Sequence, residues 1–312
     1  MKKIAFTFFS CVFLNAQNIG VSIKPIEYLV NKIAPNVNTV VLVDDNSNPH
    51  NFELKAKKIL ELDKSKAFFA IGVEAEDVWL SKLKENTKIK VIRIDDGIKK
   101  ISYAHLHEHE HDAHHEHEHE HEHEHEHEHE HDAHHEHEHD AHHEHHHHHS
   151  GADVHIWTST ENLKILSNNI AKNLKLLYPE NAAQIDKNLQ ALLKDLEDLK
   201  TKINEQTKDL KTKAFISSHP AWGYFAKEFN LKEYSLEFEG KELKIKELKK
   251  MIDLAKENKA CLLISSALFN TKSVNLVKEQ SNLKLANINA LTYNILDEML
   301  NFAKTLHNNC SN

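Results

Sequence analysis

From Ile19 onward, short apolar runs alternate with stretches in which apolar residues recur every three or four positions. The short runs predict buried strands and the longer stretches predict amphipathic helices. We predict strands at 19–23, 39–43, 68–71 and 89–94, with helices at about 25–33, 53–62 and 74–85. Regular alternation of strand and helix favours a parallel sheet that is covered by helices.

The same alternation returns after residue 210. We predict strands at 214–217, 231–236, 261–264 and 284–288, with helices at about 221–229, 243–257, 271–281 and 293–307. The predicted fold class is therefore α/β, with two similar lobes that each contain a parallel sheet flanked by helices.

One long helix is predicted to join the two lobes. A helix over about 159–177 ends before Pro179, and residues 181–208 then contain neither Gly nor Pro. In this second stretch, apolar residues follow helical spacing at Ile185, Leu189, Leu192, Leu196, Leu199 and Ile203. A helix of about 28 residues is about 42 Å long, which suits a rigid linker between lobes.

The chain is expected to have four parts, with a signal peptide at 1–16 and an N-terminal lobe at 17–180. A linker helix at 181–209 and a C-terminal lobe at 210–312 follow. The signal is predicted because Lys2 and Lys3 precede an apolar run, Ile4 to Leu14, that is too short for a membrane anchor. Export and a periplasmic location follow from this prediction.

A His- and Glu-rich insert at 104–150 interrupts the N-terminal lobe. It holds 25 of the 29 histidines, and after Leu106 it contains no apolar residue larger than Ala. Such a segment cannot bury a core, so we expect it to be disordered. Dense imidazoles bind Zn, Cu and Ni, although a solubilising spacer or an engineered tag is an alternative explanation. The candidate low-affinity metal ligands are His105, His107, His109, His111, His114, His115, His145, His147 and His149.

The net charge of −9 divides unevenly along the chain. Residues 101–150 contain 13 Glu and 3 Asp and no Lys or Arg, which leaves a net +7 for the rest. The excess Lys residues are scattered over helix faces rather than clustered, so we expect no nucleic-acid partner. A monomer is the expected state.

Three isolated histidines are the candidates for a specific metal site. His50 and His219 follow predicted strands that end at 43 and 217, and the carboxyl ends of parallel strands are where open α/β sheets bind ligands. His155 lies between the insert and a predicted helix. Each alone is more typical of a surface residue, but the three beside a His-rich insert predict a metal centre. His307, in the last helix, is expected to be a surface residue.

Two cysteines, Cys261 and Cys310, remain after the predicted signal, which contains Cys11. In an exported chain they are candidates for a disulfide. The alternative is one buried thiol and one thiol at a frayed terminus.

Four motifs carry a resemblance to a known family. They are Asn-Pro-His-Asn-Phe-Glu at 48–53, Phe-Phe-Ala-Ile-Gly at 68–72, Asp-Val-His-Ile-Trp at 153–157 and Ser-His-Pro-Ala-Trp-Gly-Tyr-Phe-Ala-Lys-Glu-Phe-Asn-Leu at 218–231. In this order, and with an acidic His-rich insert, the chain resembles the zinc-binding subunit of bacterial high-affinity zinc ABC importers, the ZnuA type. The resemblance covers nearly the whole chain after the predicted signal.

The resemblance implies a function and a ligand set. It implies that Zn²⁺ binds between two lobes to His50, His155 and His219, and that a membrane permease of an ABC importer receives the ion. It also implies a Cys261–Cys310 disulfide. Asn289-Ala290-Leu291 stands where the family often has Asp-Pro-Leu, and neutral imidazoles without that acid favour zinc over manganese. The sequence leaves the fourth ligand open among a water, the region of Asn289 and an imidazole of the insert.

Three other functions remain open from the sequence. Three His ligands with an open position also occur in catalytic zinc sites, but no paired-His catalytic motif lies outside the insert, so we do not expect an enzyme. A periplasmic metal-storage protein would act through the insert alone. A manganese or nickel importer subunit would share the fold. With three neutral ligands, the charge of the ion is expected to stay uncompensated unless an anion joins it.

Overall fold

A computed structural model describes residues 18–43, 52–102, 152–238, 241–269 and 272–311. The predicted signal at 1–16 and the predicted insert at 104–150 lie outside these residues. The described residues form one compact unit. Among the described helices, none is long and apolar enough to cross a membrane.

The first lobe contains a four-stranded parallel sheet in the order β2-β1-β3-β4. Its strands are β1 (Asn18–Val21), β2 (Thr39–Val41), β3 (Ser65–Ala70) and β4 (Lys90–Arg93), and its helices are α1 (Lys24–Ile33), α2 (Ala56–Leu62) and α3 (Glu74–Asn86). β3 is central and buried nearly throughout, as expected for a parallel strand with helices on both faces.

The second lobe repeats this plan. Its sheet contains β5 (Ala214–Ser217), β6 (Lys232–Ser235), β9 (Leu262–Ser265) and β10 (Lys284–Asn287), and its helices are α6 (Gly223–Glu228), α7 (Ile245–Glu257), α8 (Lys272–Ser281) and α9 (Ile295–Cys310). The order β10-β9-β5-β6 is parallel throughout. In each lobe the second strand lies outside the first, and the third and fourth lie on its other side. The prediction of two similar parallel lobes is confirmed.

A short antiparallel hairpin was not predicted from the sequence. It pairs β7 (Glu237–Phe238) with β8 (Lys241–Glu242) just after β6. Strands of two residues are too short to show an alternating pattern, so the apolar periodicity that identified the other strands could not reveal this one.

The long helix between the lobes is also confirmed. α4 (Thr160–Leu177) leads through a short 3₁₀ turn at Pro179–Asn181 into α5 (Ala182–Thr207). The 26 residues of α5 are about 39 Å long. Its buried face contacts α1 of the first lobe, α4, and α9 of the second lobe. The boundaries proposed for the domains stay predictions.

Helix α6 fixes the start of α4. The carboxylate of Glu228 accepts hydrogen bonds from the Ser159 hydroxyl at 2.7 Å, from the Thr160 amide at 2.9 Å and from the Thr160 hydroxyl. A carboxylate at a helix N-terminus satisfies amides that lack partners within the helix and interacts favourably with the helix dipole. This contact holds the segment before α4 against the second lobe.

Cys261 and Cys310 form the expected disulfide, with their Cα atoms 5.3 Å apart. It joins the residue before β9 to the last residue of α9. The amides of Lys211 and Thr212 also donate to the Cys310 carbonyl, at 3.1 and 3.3 Å. The end of α9 is therefore attached both to the second sheet and to the chain that leaves α5.

We expect replacement of both cysteines, Cys261→Ser with Cys310→Ser, to lower the free energy of unfolding. The bridge spans a sequence separation of 49 residues. For such a loop the chain-entropy model gives up to about 4 kcal/mol. Urea denaturation of the metal-free protein would measure the loss. A reducing agent should lower the stability of the wild type by a similar amount and leave the double variant unchanged; a double variant as stable as the oxidised wild type would contradict the expectation.

Candidate metal centre

His219 lies two residues beyond the end of β5, the first strand of the second lobe. The next strand in the chain, β6, lies on one side of β5, whereas β9 lies on the other side. Where the strand order reverses in this way, a crevice forms at the carboxyl ends of the neighbouring strands. The Ser218 amide donates to the Ile264 carbonyl of β9 at 3.0 Å, which ties the loop to the neighbouring strand. The sheet order therefore places His219 in the crevice, as predicted.

His155 reaches the same place from the segment before α4. It precedes a 3₁₀ turn at Ile156–Thr158, and the Thr158 hydroxyl donates to its carbonyl at 2.9 Å. Oδ1 of Asp153 lies 2.8 Å from the His155 amide nitrogen and 2.8 Å from its ring Nδ1. These two contacts fix the direction of the ring and leave Nε2 pointing away from Asp153.

The two predicted histidines meet through their Nε2 atoms, which are 3.0 Å apart. The Nδ1 atom of His219 lies 2.9 Å from Oε2 of Glu237, and its ring stacks on Phe269 with the centroids 4.2 Å apart. The pair thus forms a row from Asp153 through His155 and His219 to Glu237. In the sequence, Asp153 was visible only as part of a motif, and no pattern pointed to Glu237 or Phe269.

The two imidazoles carry too few protons to make every contact in this row a hydrogen bond. The row contains three polar contacts, one from each Nδ1 to a carboxylate and one between the two Nε2 atoms. Two neutral imidazoles carry two N–H protons, so one of the three contacts lacks a proton. A third proton or a metal ion resolves this. Burial lowers the pKa of His219, which opposes an extra proton there. Nitrogens bound to one tetrahedral zinc ion lie about 3.3 Å apart, close to the observed separation.

Both lobes line a cavity beside the two rings. Val73 comes from the first lobe, whereas Ser266, Phe269 and Asn289 come from the second. The cavity volume is about 40 Å³. Since one water requires about 10–15 Å³, an ion and one or two waters would fit. The Trp157 ring nitrogen donates to the Ala290 carbonyl at 2.7 Å and holds the last loop against this cavity.

Asn289 is held by its own loop. Its side-chain oxygen accepts a hydrogen bond from the backbone amide of Leu291 at 3.0 Å, and its own backbone amide donates to Oε1 of Glu298 at 2.7 Å. The orientation of this neutral side chain is therefore set by a hydrogen bond within its own loop.

In the first lobe, a buried carboxylate organises the loop that faces the cavity. Glu76 accepts hydrogen bonds from the Ile71 amide at 3.0 Å, the Gly72 amide at 2.7 Å and the Ser22 hydroxyl. Burial raises its pKa. Gly72 has φ of +78°, a conformation that favours glycine. This arrangement joins the carboxyl ends of β1 and β3 and presents Val73 to the cavity.

The remaining predicted ligands lie outside the described residues. His50 falls in 44–51, and the histidines of the insert fall in 103–151. Among the described residues, no group of three or more His, Cys, Asp and Glu could hold a metal ion. His50 therefore stays a prediction. His307 is exposed, as expected, and its ring lies 3.1 Å from the Gln206 carbonyl.

The expectation of an uncompensated metal charge changes with this geometry. Asp153 and Glu237 are each one hydrogen bond from a ring that faces the cavity. Carboxylates in this position orient an imidazole and increase its basicity. The two carboxylates would also bring negative charge close to a bound cation without coordinating it.

Comparison with known proteins agrees with the sequence motifs. The family model for ZnuA, described as the periplasmic zinc-uptake complex component A, matches residues 19–312. The high-affinity zinc uptake system protein ZnuA of Haemophilus ducreyi is 36% identical over 213 residues, which are 67% of this chain and 63% of that protein. ZnuA of Haemophilus influenzae is 41% identical over 222 residues, which are 68% of this chain and 66% of that protein. The chain matches less than two thirds of the length of these curated relatives.

A solved structure of a ZnuA deletion mutant with zinc bound has the same fold. It matches with a TM-score of 0.78 and 29% sequence identity. The match covers 96% of this chain and 99% of that chain. The two-lobed architecture is therefore shared along nearly the full length.

A further carboxylate, Glu233 of β6, is buried and lines a pocket together with Asp153. It accepts hydrogen bonds from the Trp222 amide, at 3.3 Å, and from the Ser217 hydroxyl. Burial raises the pKa of Glu233 to about 8, and the nearby charge of Asp153 adds to this effect. The folded protein therefore holds a proton that the unfolded chain releases from about pH 4.5 upward.

We expect Glu233→Gln to flatten the pH dependence of stability. In the wild type, this residue's contribution is fully present below about pH 4.5 and is lost as the pH rises through about 8. Each pKa unit corresponds to about 1.4 kcal/mol, so the difference between variant and wild type should approach a few kcal/mol at alkaline pH. Urea denaturation of the metal-free proteins across this range would measure it. Glu205→Gln, on the exposed face of α5, is the matched control; parallel curves for Glu233→Gln and wild type would contradict the expectation.

Proposed function

The chain belongs to the ZnuA family of periplasmic zinc-uptake components, and on this premise we propose that it captures one Zn²⁺ between its lobes. In this proposal the ion is cargo, and the membrane permease of an ABC importer receives it. The protein acts in the periplasm, to which its predicted signal directs it. It acts as a monomer, and its task is binding and release rather than catalysis.

The observation that carries the proposal is the row of Asp153, His155, His219 and Glu237. If both rings donate their Nδ1 protons to the carboxylates, each Nε2 carries a lone pair. The two Nε2 atoms are 3.0 Å apart, so the two lone pairs face each other. A cation between them turns a repulsive contact into two coordination bonds. Imidazole nitrogens are preferred ligands of zinc, and their second nitrogens usually donate to carboxylates or carbonyls.

The third ligand in this proposal is His50, and the fourth is a water or an imidazole of the insert. Phe52, just after His50 in sequence, is anchored because its carbonyl accepts from the Trp79 ring nitrogen at 3.0 Å. Its ring also makes an edge-to-face contact with Trp79, with the centroids 5.3 Å apart. The chain is therefore held in the first lobe two residues after the proposed ligand.

The same residues favour capture over hydrolysis. A catalytic zinc site needs a general base that faces the open coordination position. Here Oδ1 of Asp153 and Oε2 of Glu237 contact the ring nitrogens Nδ1. Both carboxylates thus orient ligands. An esterase or carbonic anhydrase assay of the zinc-loaded protein should give no activity above that of free zinc.

Zinc titration by calorimetry tests the site. We expect the intact protein to bind one ion tightly and further ions weakly at the insert. His219→Ala should lose only the tight event, because the remaining imidazoles cannot complete the coordination. His155→Ala and His50→Ala should behave in the same way.

The matched control is His307→Ala, which removes an exposed imidazole and should keep the tight event. Deletion of 105–149 should also keep it. Loss of the tight event in the deletion variant would support metal storage by the insert instead. An unchanged tight event in His219→Ala would overturn the assignment.

Metal selectivity gives a second test. In Asn289→Asp, one carboxylate oxygen can keep the hydrogen bond from the Leu291 amide while the other faces the cavity. A hard anionic oxygen favours manganese. We expect the affinity for Mn²⁺ to rise about tenfold relative to Zn²⁺, which is about 1.4 kcal/mol. Competition titration would measure the ratio.

Asn287→Asp adds the same charge at an exposed position two residues away and should leave this selectivity unchanged. If both variants shift the ratio equally, the effect comes from general electrostatics and not from coordination.

A further inference from the structure

The segment that carries His155 begins at a small two-stranded stem. The stem consists of residues 101–102 and 152–153, which flank the segment that the structure does not describe. Ser102 and Ala152 form an antiparallel bridge, and the Asp153 amide donates to the Ile101 carbonyl at 2.7 Å. The last residue of the stem is Asp153, whose carboxylate orients His155.

A tyrosine from the second lobe connects both strands of this stem. The hydroxyl of Tyr224, in α6, donates to the Asp153 carbonyl at 2.8 Å and accepts from the Ile101 amide at 3.3 Å. Tyr224 is only 5% exposed. Burial raises its pKa to about 12, so the hydroxyl stays a neutral donor.

Close approach at this point depends on the residue before Tyr224. A Cβ atom on Gly223 would lie 2.5 Å from Oδ2 of Asp153, which is closer than side-chain atoms can pack. The absence of a side chain at Gly223 lets α6 lie directly against Asp153. The hydroxyl of Tyr224 then reaches the Asp153 backbone.

The same helix holds the other end of the segment. Glu228 is four residues after Tyr224, so the two side chains lie on one face of α6. Glu228 binds Ser159 and Thr160 at the start of α4. The eight residues from Asp153 to Thr160 are therefore fixed at both ends by α6, which itself begins four residues after His219.

We propose that Tyr224 is a positioning residue for metal binding, which acts through Asp153 to aim the imidazole of His155 at the ion. Without its hydroxyl, the Asp153 carbonyl and the Ile101 amide both lose their hydrogen bond to α6, and the stem is held less firmly. The Asp153 carboxylate and the attached ring then sample more orientations. This inference rests on the proposed function, because it concerns the same metal centre.

Zinc affinity of the full chain tests the inference, with a competing chelator used to resolve the tight site. Partners of a metal-bound imidazole change affinity by about 10- to 100-fold when they are removed. Since Tyr224 acts one contact further away, we expect Tyr224→Phe to weaken zinc binding about tenfold. Tyr234→Phe is the matched control, because Tyr234 is 4% exposed and its hydroxyl has no hydrogen-bond partner among the described residues. The control should bind zinc as the wild type does.

A double-mutant cycle separates positioning from general destabilisation. In an Asp153→Asn background, Tyr224→Phe should cause little further loss of affinity, because its effect passes through Asp153. The visible spectrum of the Co²⁺-loaded protein should change in Tyr224→Phe and not in Tyr234→Phe. An affinity in Tyr224→Phe equal to that of the wild type overturns the inference, and so does a full tenfold loss in the Asp153→Asn background.

His219→Ala is titrated in parallel to distinguish the two possible failures. If His219→Ala keeps the tight site, the proposed function fails, and the inference fails with it. If His219→Ala loses the site while Tyr224→Phe binds as tightly as the wild type, the proposed function stands and only the role of Tyr224 is overturned.

Discussion

The contact between the Nε2 atoms of His155 and His219 is the constraint on which the rest of the centre depends. At 3.0 Å, two ring nitrogens need a proton or a cation between them. Burial lowers the pKa of His219 and so opposes the proton. The fold therefore holds two buried rings in an arrangement that a cation between the two Nε2 atoms would stabilise, as the proposed function requires.

The surrounding structure supplies the rigidity that this arrangement needs. Asp153 and Glu237 fix the outer nitrogens of the two rings, and Phe269 stacks on His219. Asp153 is in turn held by the stem and by Tyr224, while Glu237 belongs to the hairpin that follows β6. Because α6 begins soon after His219 and fixes both ends of the segment carrying His155, short connections set the geometry of the pair.

Apolar spacing predicted most of the fold because it records which face of each element is buried. The repeated strand–helix pattern indicated two parallel sheets, and the spacing from Ile185 to Ile203 indicated the long helix. Position after a strand identified His219 for a physical reason, since carboxyl ends of parallel strands meet in one crevice. The site's supporting contacts were invisible to such reasoning. Glu237 lies 18 residues after its partner His219, and Tyr224 lies 71 residues after Asp153. Only Asp153 had a local signal, an acid two residues before a candidate ligand.

The proposed preference for zinc over manganese follows from where the negative charge lies. An acid at the position of Asn289 would offer an anionic oxygen to the cavity directly, which suits hard ions such as Mn²⁺. Here the side-chain oxygen of Asn289 accepts a hydrogen bond from the Leu291 amide, and the two nearby carboxylates act through imidazole rings. In the proposed site, the ion would meet neutral nitrogens, with the carboxylates of Asp153 and Glu237 one hydrogen bond further out. That arrangement keeps the electrostatic attraction for a divalent cation while it selects by ligand softness. It also explains why the sequence, which revealed only the missing acid at 289, suggested a site with uncompensated charge.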